Sequence, residues 1–126
     1  MNSPETNDLF NILDVTDQVM KQNGVSKNLK RAVFNNTEIE KPTYKKVFIL
    51  VFDTLFNTQQ EEFIEFAAKE NNFIGPTGRF GDLDVHPLSK EWDLYINYSP
   101  LALTRKLKTL LNKFNNNTLY LSFKDF

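Results

Sequence analysis

Near the start of the chain, Leu9, Ile12, Leu13, Val19 and Met20 recur at helical spacing, which predicts a helix from Ser3 to Gln22. Pro4 suits its first turn, Glu5 and Asp8 suit the positive end of its dipole, and Gly24 is a natural stop. Ser26 then caps a shorter helix reaching Phe34, with Leu29, Ala32 and Val33 on its apolar side and Lys27, Lys30 and Arg31 outside. Together they predict an N-terminal helical arm or hairpin over residues 1–43. Its last part, Asn35 to Pro42, is polar and aperiodic and is expected to be a connection.

Residues 44–126 predict an α+β domain. Lys46 to Phe52 is a continuous apolar, β-branched and aromatic run of strand length. Thr58 with Glu61 forms a capping-box pattern, followed by Phe63, Ile64, Phe66 and Ala67 on a helix. Between Phe73 and Pro87 the early part is expected to be a loop and the later part a short edge strand, and Trp92 to Tyr98 a clearer strand. Ser99-Pro100 opens a helix with Leu103, Leu107, Leu110, Leu111 and Phe114 as its stripe, and Leu119 to Phe123 closes the chain as a strand. The resulting order, β-α-β-β-α-β, is ferredoxin-like, with both helices on one face of a four-stranded sheet.

Composition narrows the chemistry. The 126 residues contain no cysteine and one histidine, so thiol nucleophiles, disulfides and thiolate metal clusters are excluded and the inventory for catalysis is thin. The segment MNSPETNDLF carries acids where a secretory signal would be basic and then apolar, which predicts a cytoplasmic protein. Net charge is −1, against a surface that is basic throughout. The charge is uneven, however: Lys21 to Lys46 holds seven bases and two acids, and the rest of the chain from Val47 holds ten acids and eight bases. Twelve Phe, four Tyr and one Trp predict a well-filled core.

Four constellations bear on function. The first-strand run Val47 to Phe52 is placed as the base-stacking strand of an RNA-recognition domain would be, but Glu91 to Tyr98 lacks the base and the glycine of the companion signature. Met20 to Asn35 has the outline of a helix-turn-helix, with Lys27, Lys30 and Arg31 as its basic face. Asp82, Asp84 and His86 alternate, so on a strand they would share a face on which carboxylates and an imidazole could hold a divalent cation, although acids on an edge strand more often discourage sheet pairing. Gly75, Gly78 and Gly81 match neither the dinucleotide fingerprint nor the Walker spacing and read as turn residues.

Lys27 to Arg31, Thr58 to Glu61 and Trp92 to Ile96 fall in an order of elements that loosely resembles the small bacterial ribosome-associated proteins of the YggL type. That resemblance implies a ribosome-binding role. The N-terminal helix has no counterpart in it, and the tryptophan-rich end of that family is absent.

The expected function is that of a non-enzymatic protein-binding domain, a regulator, inhibitor or immunity-type protein without cofactor or metal. Its contact surface is expected at Phe80, Asp82, Asp84, Glu91, Trp92 and Asp93, where aromatic anchors stand among charges that would steer a basic partner. The alternative is a nucleic-acid or ribosome-associated protein using Lys27, Lys30 and Arg31. An open sheet face would also allow self-association.

Overall fold

A computed structural model describes residues 9–18, 29–70, 74–81 and 84–123. These residues form a mixed α+β protein with three α-helices and two antiparallel sheets. The chain divides into two compact units, residues 1–47 with 98–126 and residues 48–97.

The first unit is built on a sheet of four strands: β1 (Phe10–Asn11), β2 (Leu29–Phe34), β3 (Thr37–Glu38) and, last in the chain, Leu119–Phe123. The spatial order runs β1, the last strand, β2, β3. Leu29, Ala32 and Phe34 are buried, as are Leu119, Leu121 and Phe123 on the paired strand. Phe10 and Phe123 bring their rings to 5.6 Å.

The expected basic helix is therefore a strand over Leu29–Phe34, and the helix-turn-helix reading does not hold there; Lys27 and the supposed turn lie outside the described residues. The cause is a bulge. Leu29 opposes Phe123 and Arg31 opposes Ser122, so one extra residue enters the register around Lys30. That extra residue brings Leu29 and Ala32 to the buried side three positions apart, a spacing that reads as helical along the sequence. Asn35 and Asn36 then take φ of 48° and 68° between paired Phe34 and Thr37. Positive φ at both central residues is what a two-residue type I′ hairpin requires, and asparagine tolerates it. The stretch from Asn35 thus begins as a hairpin rather than a plain connection.

Half of the expected helix Ser3–Gln22 lies outside the described residues, and within them Phe10–Asn11 is a strand and Ile12–Asp14 a 3-10 turn. Asp17 accepts two bonds from the Arg105 guanidinium, at 3.1 and 2.5 Å, and Lys108 Nζ donates to the Val15 carbonyl at 2.9 Å. Both bases stand on the helix Pro100–Lys113, which opens as expected: Ser99 accepts from the Ala102 amide, Pro100 takes the first turn, and Leu103, Leu107, Leu110 and Leu111 are buried.

The second large correction is α1 (Tyr44–Thr58), which contains the whole run expected as the first strand. Tyr44, Val47, Phe48, Val51, Phe52, Leu55 and Phe56 are all buried. These are the i, i+3, i+4, i+7 positions of an amphipathic helix, visible only in a window wider than the apolar run. From Tyr44 onward the order of elements is therefore α-α-β-β-β-α-β, not the ferredoxin-like one, and the run on which the RNA-recognition reading depends is helical.

The second unit holds α1 from Phe48 onward, α2 (Gln60–Glu70), and a sheet of β4 (Ile74–Pro76), β5 (Val85–Pro87) and β6 (Trp92–Tyr95) in the order β4-β6-β5. Thr58 does not cap α2; its hydroxyl donates to the Thr54 carbonyl inside α1, and Gln59 alone separates the helices, its carbonyl accepting from Phe63. Phe63 meets Phe52 and Phe56 edge to face at 5.6 and 6.1 Å, and Phe48 lies 4.2 Å from Phe52. All four rings are buried, and aromatic pairs of this kind add about 0.5–1.5 kcal/mol each beyond their area. The edge strand at Val85–Pro87 matches expectation, whereas Ile74–Pro76, expected as loop, is the opposite edge. The two remaining elements, α3 (Pro100–Lys113) and β7 (Leu119–Phe123), return to the first unit. No helix among the described residues is long and apolar enough to cross a membrane.

Candidate functional site

The small sheet of the second unit places its side chains on two faces. Register pairs Leu94 with Ile74 and His86, Trp92 with Pro76, Asp93 with Gly75 and Pro87, and Tyr95 with Val85. Strand alternation puts Ile74, Leu94, Trp92 and His86 on one side and Gly75, Asp93, Tyr95 and Val85 on the other. Leu94 and Ile74 are buried on the first side. There the His86 imidazole also meets the Asp53 carboxylate of α1 at 2.9 Å.

The chain from Thr77 to Gly81 folds back over the second side in two successive turns. The Arg79 amide donates to the Pro76 carbonyl at 2.9 Å and the Gly81 amide to the Gly78 carbonyl at 3.1 Å. Gly78, at φ 90°, takes the third position of the first turn, which favours glycine. Thr77 fixes the entry, its amide donating to the Glu91 carbonyl at 2.9 Å and its hydroxyl to the Lys90 carbonyl at 2.8 Å. The Gly78 amide donates to the Asp93 carboxylate at 3.2 Å.

These bonds set Phe80 over Tyr95 with ring centroids 5.4 Å apart and stacked, and Arg79 over Phe80 at 5.6 Å. The Arg79 stem lies on Gly75: a Cβ there would stand 2.3 Å from Arg79 Cδ and 3.3 Å from its Cβ. Phe80 and Tyr95 are half-buried and Arg79 is exposed. Arginine, phenyl and phenol thus form one layered cluster.

Of the six residues expected at a contact surface, Phe80 stands at the centre of this cluster. Asp84 and Glu91 are exposed, and Trp92 is half-buried on the opposite sheet face. Asp93 is buried, and its carboxylate holds the Gly78 turn, so it belongs to the scaffold. Asp82 lies outside the described residues. Arg79 and Lys90 are exposed alongside Asp84 and Glu91, so the surface is mixed in charge rather than acidic. Arg79 and Tyr95 were not among the expected residues. The signal for Tyr95 was its two-residue spacing from Asp93; that for Arg79 was the turn composition Gly75-Pro76-Thr77-Gly78 preceding it.

Of Asp82, Asp84 and His86, which on one strand face could have held a cation, His86 is turned to Asp53, and no group of three or more metal-ligating side chains converges among the described residues. Of the basic trio, Lys30 is exposed at the bulge, while Arg31 forms a forked pair with Glu38 of β3 at 2.7 and 3.1 Å. In the first unit, a groove of about 340 Å³ is lined by Leu13, Lys108, Thr109 and Asn112.

No family model matches this chain, and neither a curated protein nor a solved structure does.

Proposed function

We propose that this chain is a non-enzymatic protein-binding domain of regulator or inhibitor type, and that its contact surface is centred on Arg79, Phe80 and Tyr95. The observation that carries the reading is the ordered stack itself: Phe80 on Tyr95 at 5.4 Å with Arg79 over the phenyl ring. Tyrosine and arginine are enriched among the few residues that carry most of the binding energy at protein interfaces. Here the two turns hold them in place before any partner arrives, which lowers the ordering cost of association. Asp84, Lys90 and Glu91 supply a rim of both signs. Such a rim sets register and partner choice more than affinity, so the partner surface carries complementary mixed charge around an apolar recess.

The test is capture from nuclease-treated lysate by the wild-type chain and by Phe80→Ala in parallel, with melting curves confirming that both are folded. A protein retained by the wild type and depleted about thirtyfold with the variant is the expected result, since truncating a central hot spot costs about 2 kcal/mol or more. Equal recovery by the two chains would remove this surface from the reading.

A further inference from the structure

Arg79 is held in the layered cluster by packing rather than by charge. Its stem lies on Gly75 and its guanidinium over the Phe80 ring at 5.6 Å, and among the described residues that guanidinium makes no hydrogen bond or ion pair. An acid is within reach along the chain: the Thr77 amide bonds the carbonyl of Glu91, an exposed residue, yet Glu91 and Arg79 do not pair. An ion pair in water is worth too little to pull the arginine off the ring, and a guanidinium stacked on a phenyl face keeps its charge solvated. Resting on the protein-binding reading above, we infer that Arg79 sets the specificity of this surface: a carboxylate of an aspartate or glutamate on the partner closes a fork on the guanidinium, beside an apolar side chain that covers Phe80.

The requirement for an acid follows from what a partner does when it covers Phe80. It displaces the water that satisfies the arginine donors, and a guanidinium buried without acceptors is strongly disfavoured. A carboxylate restores the balance with two parallel N–H···O bonds, stronger there than at an open surface because the site is dry. A phosphate fits less well. The amides of Thr77, Gly78, Arg79 and Gly81 are all spent within the fold, on the Glu91 carbonyl, the Asp93 carboxylate and the turn carbonyls, so the turns offer no cradle of backbone donors. Asp84 and Glu91 are exposed nearby, with Asp93 behind the Gly78 turn, and such acids repel a doubly charged group more than a singly charged one. One planar fork among acids matches one carboxylate.

The experiment is selection of a random peptide library, displayed on phage, against the immobilised full chain. Fluorescence anisotropy then compares a leading peptide with its amide counterpart, in which the acid is changed to Asn or Gln, and with its phosphoserine counterpart. The expected consensus sets an acid beside an apolar residue, and the amide change weakens binding about tenfold or more. Arg79→Lys keeps the charge and a stem over Gly75 but loses the planar fork. With its melting temperature unchanged, it should weaken the acidic peptide about tenfold and the amide peptide by less than about twofold. Unchanged affinity of Arg79→Lys for the acidic peptide, equal loss for both peptides, tighter binding of the phosphoserine peptide, or a consensus without an acid would each overturn the inference. In those cases loss of the selected peptides with Phe80→Ala leaves the protein-binding reading standing, whereas a selection that yields no peptide lost with Phe80→Ala removes both.

Discussion

His86 Nε2 lies 2.9 Å from Asp53 Oδ2, joining the edge strand β5 to the middle of α1 within the second unit. The His86 and Asp53 side chains are 29% and 34% exposed, so water screens the pair and its contribution is closer to that of a surface interaction than of a buried one. A double-mutant cycle with His86→Ala and Asp53→Ala should return a coupling of about 1 kcal/mol at neutral pH. Strictly additive effects in chemical denaturation would show that the contact adds nothing to stability.

Gly75 is the position at which the layered cluster can be disturbed without touching its rings. A methyl group there meets the Arg79 stem at 2.3 Å, and the 3.3 Å approach to Arg79 Cβ, the stem atom nearest the turn backbone, asks for a further shift of a few tenths of an ångström. Gly75→Ala should destabilise the chain by about 1–3 kcal/mol, in the range of other overpacking changes. It should also weaken partner capture as Phe80→Ala does. Unchanged stability with unchanged capture would show that the turn shifts freely and is not a built element.

The contrast between Leu103 and Val47 shows what the sequence made legible. Leu103 belongs to a helix with a serine cap, a proline in the first turn and an apolar stripe, and all three signals agree with the fold. Val47 lies in an apolar run whose β-branched and aromatic content favours a strand, while its helical period emerges only from Tyr44 to Phe56. At Leu29 and Ala32 the reverse occurs, because a bulge gives a strand the spacing of a helix. Local chemistry was thus readable where it was redundant, and misread where one tertiary feature changed the period. At the candidate site Phe80 was legible as an exposed-type aromatic among turn residues. Its stacking on Tyr95 and the withdrawal of Asp93 into the scaffold depend on register across β6 and on the backward fold of the Gly78 turn.

The Arg31–Glu38 fork predicts an acid-dependent loss of stability. The hydrogen bond from Arg31 is the main reason that the Glu38 carboxyl is held below its usual value; burial opposes it, and the arginine's charge adds the smallest contribution, again downward. A carboxyl depressed in the folded state contributes stability above its unfolded value and loses it as pH falls through the folded one. Glu38 is half exposed, with 50% of its side-chain surface open to solvent, so the contribution stays below about 1 kcal/mol. In denaturation curves from neutral pH down to about pH 3, the advantage of wild type over Glu38→Gln should shrink on acidification. A constant or growing advantage would show that the carboxylate charge is not what stabilises the hairpin.

Ser122 is the next-to-last residue of β7, fully buried, with a hydroxyl that has no hydrogen-bond partner among the described residues. Its backbone is paired to β2 opposite Arg31, so the strand is held in place whatever the side chain does. Burying a hydroxyl without a partner costs about 1–3 kcal/mol of desolvation. Removing the oxygen leaves only a small void, because serine and alanine differ by one atom. Ser122→Ala should therefore raise unfolding stability, by about 1 kcal/mol after the lost packing contacts are subtracted. Urea denaturation measures this directly, and a destabilised variant with an unchanged m-value would show that the hydroxyl is satisfied in solution.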